Sequence, residues 1–326
     1  MVHAAAMGEL PDGRLATVWY GGSREGAKDV AIFWAERGSK PTDHWSPPRV
    51  LVNRSSATKE LDRYIKKVGN PIMFTGPDER IWLIYVSVTV GGWSGSSINL
   101  KISEDGGLNW QPSRRLTLSP LFNISELVRN KPVALTRGQV AIPIYHECLG
   151  KFPELLWIES GNGRSSLSYR KTRMAGGTAF IQPCVVPYAP RLADAFYRCT
   201  GREKAVGKAS TTTAGASWSP PQMLALPNPD AGLDAVLLSG ARILMAFNDT
   251  PSGRDNLRLA ISDDHGSTWQ RIATLENTPG EEFSYPYLIS TQTGRIHLVY
   301  TWRRKRIKHV VFNEAWVNMQ AKSAAK

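Results

Sequence analysis

Five polar residues recur along this chain at nearly even spacing. Asn70 (in GNP), Lys131 (NKP), Gln182 (IQP), Asp234 (GLDA) and Tyr285 (SYP) follow one another at intervals of 61, 51, 52 and 51 residues. Four of them precede proline, which disfavours helical backbone at the residue before it. The reading therefore places them in extended conformation at the starts of strands, with side chains on one rim. An X-Pro step alone merely begins a strand. That every member is polar points instead to a pocket with a few convergent polar groups. His3 is the expected first member of the series. A phenol in such a ring, here Tyr285, can act as a nucleophile or as a proton-abstracting base once a neighbour removes its proton.

A second set of groups lies in loops between these positions: Arg24 and Glu25 in GGSREG, Trp93 in GGWSGSS, His146 and Glu147 in YHE, then Arg198, Asn248 and Asp249, and Arg303 and Arg304 in TWRR. Guanidinium groups grip a carboxylate with two parallel hydrogen bonds, so cations and carboxylates on one rim fit an acidic sugar better than a neutral one. The chain carries 40 Lys and Arg against 28 Asp and Glu, a net charge of +12, which also favours an anionic partner. Cys148, Cys184 and Cys199 form no CxxC or His/Cys metal spacing, so no metal and no cofactor is expected, and the three are read as free thiols.

Such residues need a frame that returns to the same rim every 50 to 60 residues, and the chain supplies one. A turn followed by a β-branched and aromatic run appears as PDGRLATVWY (11–20), GPDERIWLIYV (76–86), TRGQVAIPIYH (136–146), APRLADAFYR (189–198), SGARILMAFN (239–248) and TGRIHLVYTW (293–302). From the second copy onward the spacing is that of one four-stranded antiparallel blade. No helical periodicity of useful length interrupts them. The expected fold is all-β: a single six-bladed β-propeller over residues 1–326, expected to be a monomer.

Two octapeptides, SEDGGLNW (103–110) and SDDHGSTW (262–269), share Ser-x-Asp-x-Gly-x-(Asn/Thr)-Trp, and TTTAGASW (211–218) is a third copy with Thr213 in place of Asp. Each follows a third strand and reads as the turn into the fourth: a buried carboxylate accepts the turn's N–H groups, glycine supplies positive φ, and tryptophan packs between sheets. In an up-and-down blade these turns lie on the face away from the inter-blade links, so Asp105 and Asp264 are read as structural.

These boxes, together with GGSREGAKDVAI, NKP, IQP, SYP and YTWRRKRIKHV, resemble the bacterial Asp-box (BNR-repeat) proteins of the sialidase superfamily over essentially the whole chain. The resemblance implies a propeller that uses a tyrosine nucleophile activated by a glutamate, a carboxylic acid as proton donor and three arginines on the substrate carboxylate. Carried onto this sequence, Tyr285 matches the nucleophile and Arg198 the central arginine. Glu25 or Asp29 falls in the loop of the acid, and Arg254, Arg303 or Arg304 matches a further arginine. Two positions depart. Gln182 stands where the activating glutamate belongs, leaving Glu147 or Glu282 to take that part, and His3-Ala4-Ala5 stands where an arginine is usual.

The reading that follows is a sialidase-like glycosidase removing a terminal acidic sugar, sialic acid. Two alternatives stand beside it: a lyase acting on a uronic acid, for which Lys131, Arg198, His146 and Tyr285 would suffice, and a non-catalytic glycan-binding propeller. RRKRIKH (303–309) is assigned to a strand and its loop, not to a nucleic-acid partner. No run approaches the roughly 18 apolar residues of a membrane span. The opening MVHAAAMGELPDGR lacks the pattern of a secretory signal, while a secreted or periplasmic setting is the expectation.

Overall fold

Each of the six turn-plus-strand copies becomes the second strand of a blade. In the computed structural model, which describes residues 1–76, 78–119, 123–136, 139–148, 150–160, 167–175 and 177–325, the six sheets form a six-bladed β-propeller. Arg137 and Gly138 of the third copy lie outside the described residues. Blade one holds β1 (Val2–Glu9), β2 (Leu15–Gly21), β3 (Ala31–Arg37) and β4 (Arg49–Asn53), followed by α1 (Arg54–Glu60). Blade two holds β5 (Lys67–Thr75), β6 (Ile81–Val88), β7 (Ser96–Ser103) and β8 (Arg114–Arg115). Blade three has five strands: β9 (Glu126–Val128), β10 (Val133–Thr136), β11 (Gln139–His146), β12 (Phe152–Ser160) and β13 (Leu167–Arg173). Blade four holds β14 (Phe180–Ala189), β15 (Leu192–Cys199), β16 (Ala205–Thr211) and β17 (Gln222–Pro227). Blade five holds β18 (Asp234–Leu237), β19 (Ile243–Phe247), β20 (Asn256–Ser262) and β21 (Gln270–Asn277). Blade six holds β22 (Phe283–Ser290), β23 (Arg295–Trp302) and β24 (Arg306–Asn313), and α2 (Glu314–Ala324) follows.

The helices correct the expectation of an uninterrupted β chain. Asn313 accepts a hydrogen bond from the Trp316 N–H and caps α2, whose sequence EAWVNMQAKSA is rich in helix formers. Only Val317 of α2 is buried, so no apolar stripe announces the helix. Arg242 pairs with Glu314, and the Gln270 side chain donates to the Ala321 carbonyl, fixing α2 beside blade five.

The boxes join blades, as their turn chemistry requires. The Asp105 carboxylate accepts the Asn109 N–H at 2.8 Å, and Asp264 accepts those of Ser267 and Thr268 at 3.0 and 2.8 Å. Both aspartates are exposed, not buried as expected, because the turn wraps only one side of the carboxylate. The box glycines carry the packing. A Cβ on Gly107 would meet Trp34 of blade one at 2.8 Å, on Gly215 Leu135 of blade three at 2.9 Å, and on Gly266 Phe196 of blade four at 2.7 Å. Positive φ and the lack of a side chain are both needed there. Each box thus seats its blade on the one before it.

The inner strands also differ from the extended conformation expected before proline. Asn70, Gln182 and Tyr285 have φ of 44°, 52° and 54°, and the register of β5, β14 and β22 slips at each one. These are bulges, in which an extra residue leaves the ladder and its side chain is re-aimed. The proline clash acts against right-handed helical backbone, and the bulge selects the left-handed region instead. In β1 the residue at the equivalent slip is Ala4, φ 51°, not His3. The inner strand of blade three is interrupted between β9 and β10, both of which pair with β11, so Lys131 lies in the gap. The ring closes where the Val2 N–H donates to the Arg304 carbonyl and the Ala4 N–H to Thr301 Oγ1.

Candidate functional site

Side chains from blades one, four, five and six surround the Tyr285 phenol, and the bulge at Asn70 joins them through Tyr145. The Tyr285 hydroxyl lies 3.4 Å from Arg198 Nη1, which is also 3.4 Å from Gln182 Oε1. Arg198 comes from the end of β15, and Asp230, in the link before β18, accepts from its Nε at 2.5 Å. Arg254 stands on the other side: its guanidinium is 5.5 Å from the Tyr285 ring centre, within 3.6 Å of Glu282, and it donates to the Asp230 carbonyl. His3 meets the Tyr285 ring edge-on at 4.6 Å. Gly232 leaves the room these groups use, since a Cβ there would lie 2.9 Å from Tyr285 Cδ1.

The electrostatics follow from this crowding. Burial pushes the Tyr285 phenol up, but Arg198, Arg254 and Arg129, with the Arg198 hydrogen bond, outweigh it and hold the phenol below the ordinary tyrosine value. Burial, then Arg304 and Arg254, press His3 well below the usual imidazole range, so it is neutral at pH 7. Glu147 is half-buried, and burial raises its carboxyl against the opposing pull of Lys151 and Arg198. Tyr145 is pushed up chiefly by burial; its hydroxyl accepts from Asn70 Nδ2 at 3.3 Å and Gln182 Nε2 at 3.2 Å.

Other residues singled out by sequence stand farther out or deeper. Arg304 forms a charge cluster with Glu25 at 2.9 Å and Glu282 at 2.8 Å, and its Nη2 is 3.3 Å from His3 Nε2. Arg303 pairs with Glu281 at 3.3 Å. Arg24 is exposed in the β2–β3 loop, where its carbonyl accepts the Ala27 N–H. Asp29, in the same loop, accepts from Ser23 N and Oγ, which lowers its carboxyl. Lys131 and Asp234 pair at 2.6 Å inside the channel; Asp234 is fully buried and also accepts from the Cys184 thiol and the Leu288 N–H. His146 stacks on Phe152 at 4.7 Å, while its neighbour Tyr145 turns to Gln182, because adjacent residues of a strand face opposite ways.

The sequence reading did not single out Tyr145, Asp230 or Arg129. Strand alternation from His146 and the NPD turn before Asp234 were available signals for the first two. Arg129 stands two residues before Lys131, so strand alternation was an available signal for it as well. Among the described residues no group of three or more His, Cys, Asp or Glu could hold a metal ion, and no helix is long and apolar enough to cross a membrane.

The model of the BNR repeat-like domain matches residues 13–298. The chain belongs to the BNR repeat-like domain family. No curated protein matches this BNR-repeat chain by sequence. Among solved structures it is similar to the Hadza microbial sialidase Hz136, with TM-score 0.77 and 14% identity over 97% of this chain and 66% of that one. This chain therefore spans just under two thirds of that sialidase. The intramolecular trans-sialidase of Ruminococcus gnavus, solved with oseltamivir carboxylate, aligns with TM-score 0.72 and 14% identity over 96% of this chain and 94% of that one. A protein of unknown function from Dyadobacter fermentans aligns with TM-score 0.68 and 14% identity over 92% and 90% of the two chains. At such identity the likeness is one of fold: the BNR-repeat chain has the sialidase propeller.

Proposed function

We propose that this BNR-repeat protein is a sialidase-like glycosidase that removes a terminal acidic sugar, sialic acid, from glycans, with Tyr285 as nucleophile. The observation that carries the reading is the Tyr285 hydroxyl within 3.4 Å of Arg198, in a cation field that lowers its phenol. A phenolate formed in this way needs no carboxylate partner, which accommodates the glutamine at position 182. Arg198 and Arg254 offer their remaining N–H groups to the substrate carboxylate, and Arg304, reaching His3 from blade six, supplies the third guanidinium in place of the absent first-blade arginine. In the first step a bond forms between Tyr285 Oη and the anomeric carbon. The bond to the leaving oxygen breaks, and that oxygen takes the Glu147 proton. In the second, water gives a proton back to Glu147 and attacks the same carbon, releasing Tyr285 as phenolate. Glu25 is held by Arg304.

One observation favours a lyase. Among the described residues no carboxylate is hydrogen-bonded to the Tyr285 hydroxyl, a setting that also suits a phenolate abstracting the C5 proton of a uronic acid. Incubation with a sialylated glycan and, separately, with a polyuronate separates the two. Free sialic acid supports the glycosidase, and new absorbance from a carbon–carbon double bond supports the lyase. Saturable binding without turnover of either would mean a glycan-binding propeller.

A further inference from the structure

Arg129 is 2% exposed, and among the described residues no carboxylate lies within ion-pairing distance of its guanidinium. Burying a guanidinium without an ion-pair partner is costly, and the field of Asp234 and two carbonyls offset it here. Its Nη2 donates to the carbonyls of Tyr285 at 2.8 Å and Pro286 at 3.1 Å, across 156 and 157 residues of chain. Its centre lies 5.2 Å from the Tyr285 ring and 5.5 Å from the Tyr287 ring, and Nε and Nη1 have no hydrogen-bond partner. Those two nitrogens therefore spend their polarity on the aromatic faces. The carbonyls it grips are those of the left-handed bulge residue and the proline after it, a conformation that costs about 1–3 kcal/mol unless its surroundings enforce it.

We propose that Arg129 is a positioning residue for Tyr285: wedged between two tyrosine rings, it clamps the Tyr285–Pro286 bulge through both carbonyls and lends the phenol a positive charge that no direct ion pair among the described residues takes up. Arg129 is buried, whereas Arg198 and Arg254 keep some exposure at the rim. The other charged and titratable groups around the pair are Asp230 against Arg198, Glu282 against Arg254, His3 at the ring edge, Tyr145 behind Gln182, Arg304 beyond His3, and Asp234 with Lys131 below Arg129. Asp230 and Glu282 are engaged by the rim arginines, and Glu147, near Arg198 and Tyr145, makes no ion pair with Arg129. Asp234 is held by Lys131, Cys184 and the Leu288 N–H, so none of them bonds Arg129.

The inference rests on Tyr285 being the reacting group, and its test reads the phenol without turnover. Phenolate absorbance is followed during alkaline titration of the wild-type chain and of Tyr285→Phe, and the difference isolates Tyr285. It should show one phenol ionising below the free tyrosine value. Arg129→Met should move that midpoint up by about one pH unit or more. An unchanged midpoint in folded Arg129→Met, or a wild-type difference with no early phenol, overturns the proposal. If Arg129→Met does not fold, Arg129→Lys decides. A midpoint within about half a unit of wild type supports the role of the charge, and one as high as free tyrosine refutes it. A low phenol in a protein that turns over neither glycan would sink the proposed function while leaving this inference standing.

Discussion

Tyr285→Phe removes one oxygen from the centre of the site and little else. The ring keeps its contacts with His3 at 4.6 Å, Arg129 at 5.2 Å and Arg254 at 5.5 Å, and the bulge keeps both Arg129 hydrogen bonds. The hydroxyl makes one long bond, 3.4 Å to Arg198, whose guanidinium stays anchored on Asp230. Stability should therefore change by less than about 1 kcal/mol. Substrate binding should change little, because the carboxylate-gripping groups are intact. Turnover should fall at least about a hundredfold, a barrier increase near 2.7 kcal/mol, since both the glycosidase and the lyase reading place the reacting electron pair on that oxygen. The assay measures kcat and KM for sialic acid release and for double-bond formation, with Tm as the folding control. A folded Phe variant with wild-type kcat would refute both mechanisms. A large loss of Tm would show that the 3.4 Å contact holds the site together instead.

Glu147→Gln should abolish turnover of glycans with poor leaving groups yet spare an aryl glycoside whose leaving group needs no proton. With the raised carboxyl gone, the remaining rate should no longer decline toward alkaline pH, because only Tyr285 ionisation is then required; a bell-shaped profile in the variant would exclude Glu147 as the acid. Gly266→Ala places a methyl 2.7 Å from Phe196 at φ 76° and should cost about 2–4 kcal/mol by denaturant unfolding, with activity per folded molecule kept. Asp264→Ala removes the acceptor of the Ser267 and Thr268 N–H groups on the far face and should lower Tm without changing kcat; abolished turnover at unchanged Tm would put the box on the wrong face. Burial raises the Glu126 carboxyl to about 7 despite Lys171, so its contribution to stability is present below its unfolded value near 4.5 and is lost as pH rises through about 7. Glu126→Gln should flatten the Tm-against-pH curve over that window, and an unchanged slope would refute the assignment.

The blade count and the two faces were legible because repeats reveal architecture directly: six β-branched runs became six second strands, and the boxes fell at strand 3–4 turns. The rim series was legible as positions but not as conformations. Asn70, Gln182 and Tyr285 do converge, through left-handed bulges that X-Pro spacing does not announce. Asp234 keeps the spacing yet serves the channel, since without a bulge its side chain stays within the core and meets Lys131, Cys184 and Leu288. Side-chain choice between neighbours was the least legible. His146 and Tyr145 are adjacent, and only strand pairing decides which one faces Gln182. Arg129 and Lys131 are two apart and share a face by strand alternation, yet the gap between β9 and β10 breaks the strand on which that alternation would have been counted.

The two departures from the sialidase pattern offset each other. His3-Ala4-Ala5 in place of an arginine removes a positive charge, and Gln182 in place of a glutamate removes a negative one, so the formal charge around Tyr285 is unchanged. Either change alone would alter the chemistry. A glutamate at 182 beside Tyr285, with one arginine fewer, would push the phenol up. A full set of arginines without the glutamate would leave one more cation without a counter-charge in a crowded pocket. Together they keep a cation field around the phenol, so that on the proposed reading its proton goes to solvent and the guanidinium groups stabilise the phenolate left behind. Ala4 retains the bulge at φ 51° without a side chain that can reach the substrate space, and Arg304 enters from the neighbouring blade, 3.3 Å from His3, with Glu25 and Glu282 as counter-charges. The balance of charge is the one the proposed tyrosine chemistry requires, and turnover by a protein whose Tyr285 ionises early is the observation that would join the two.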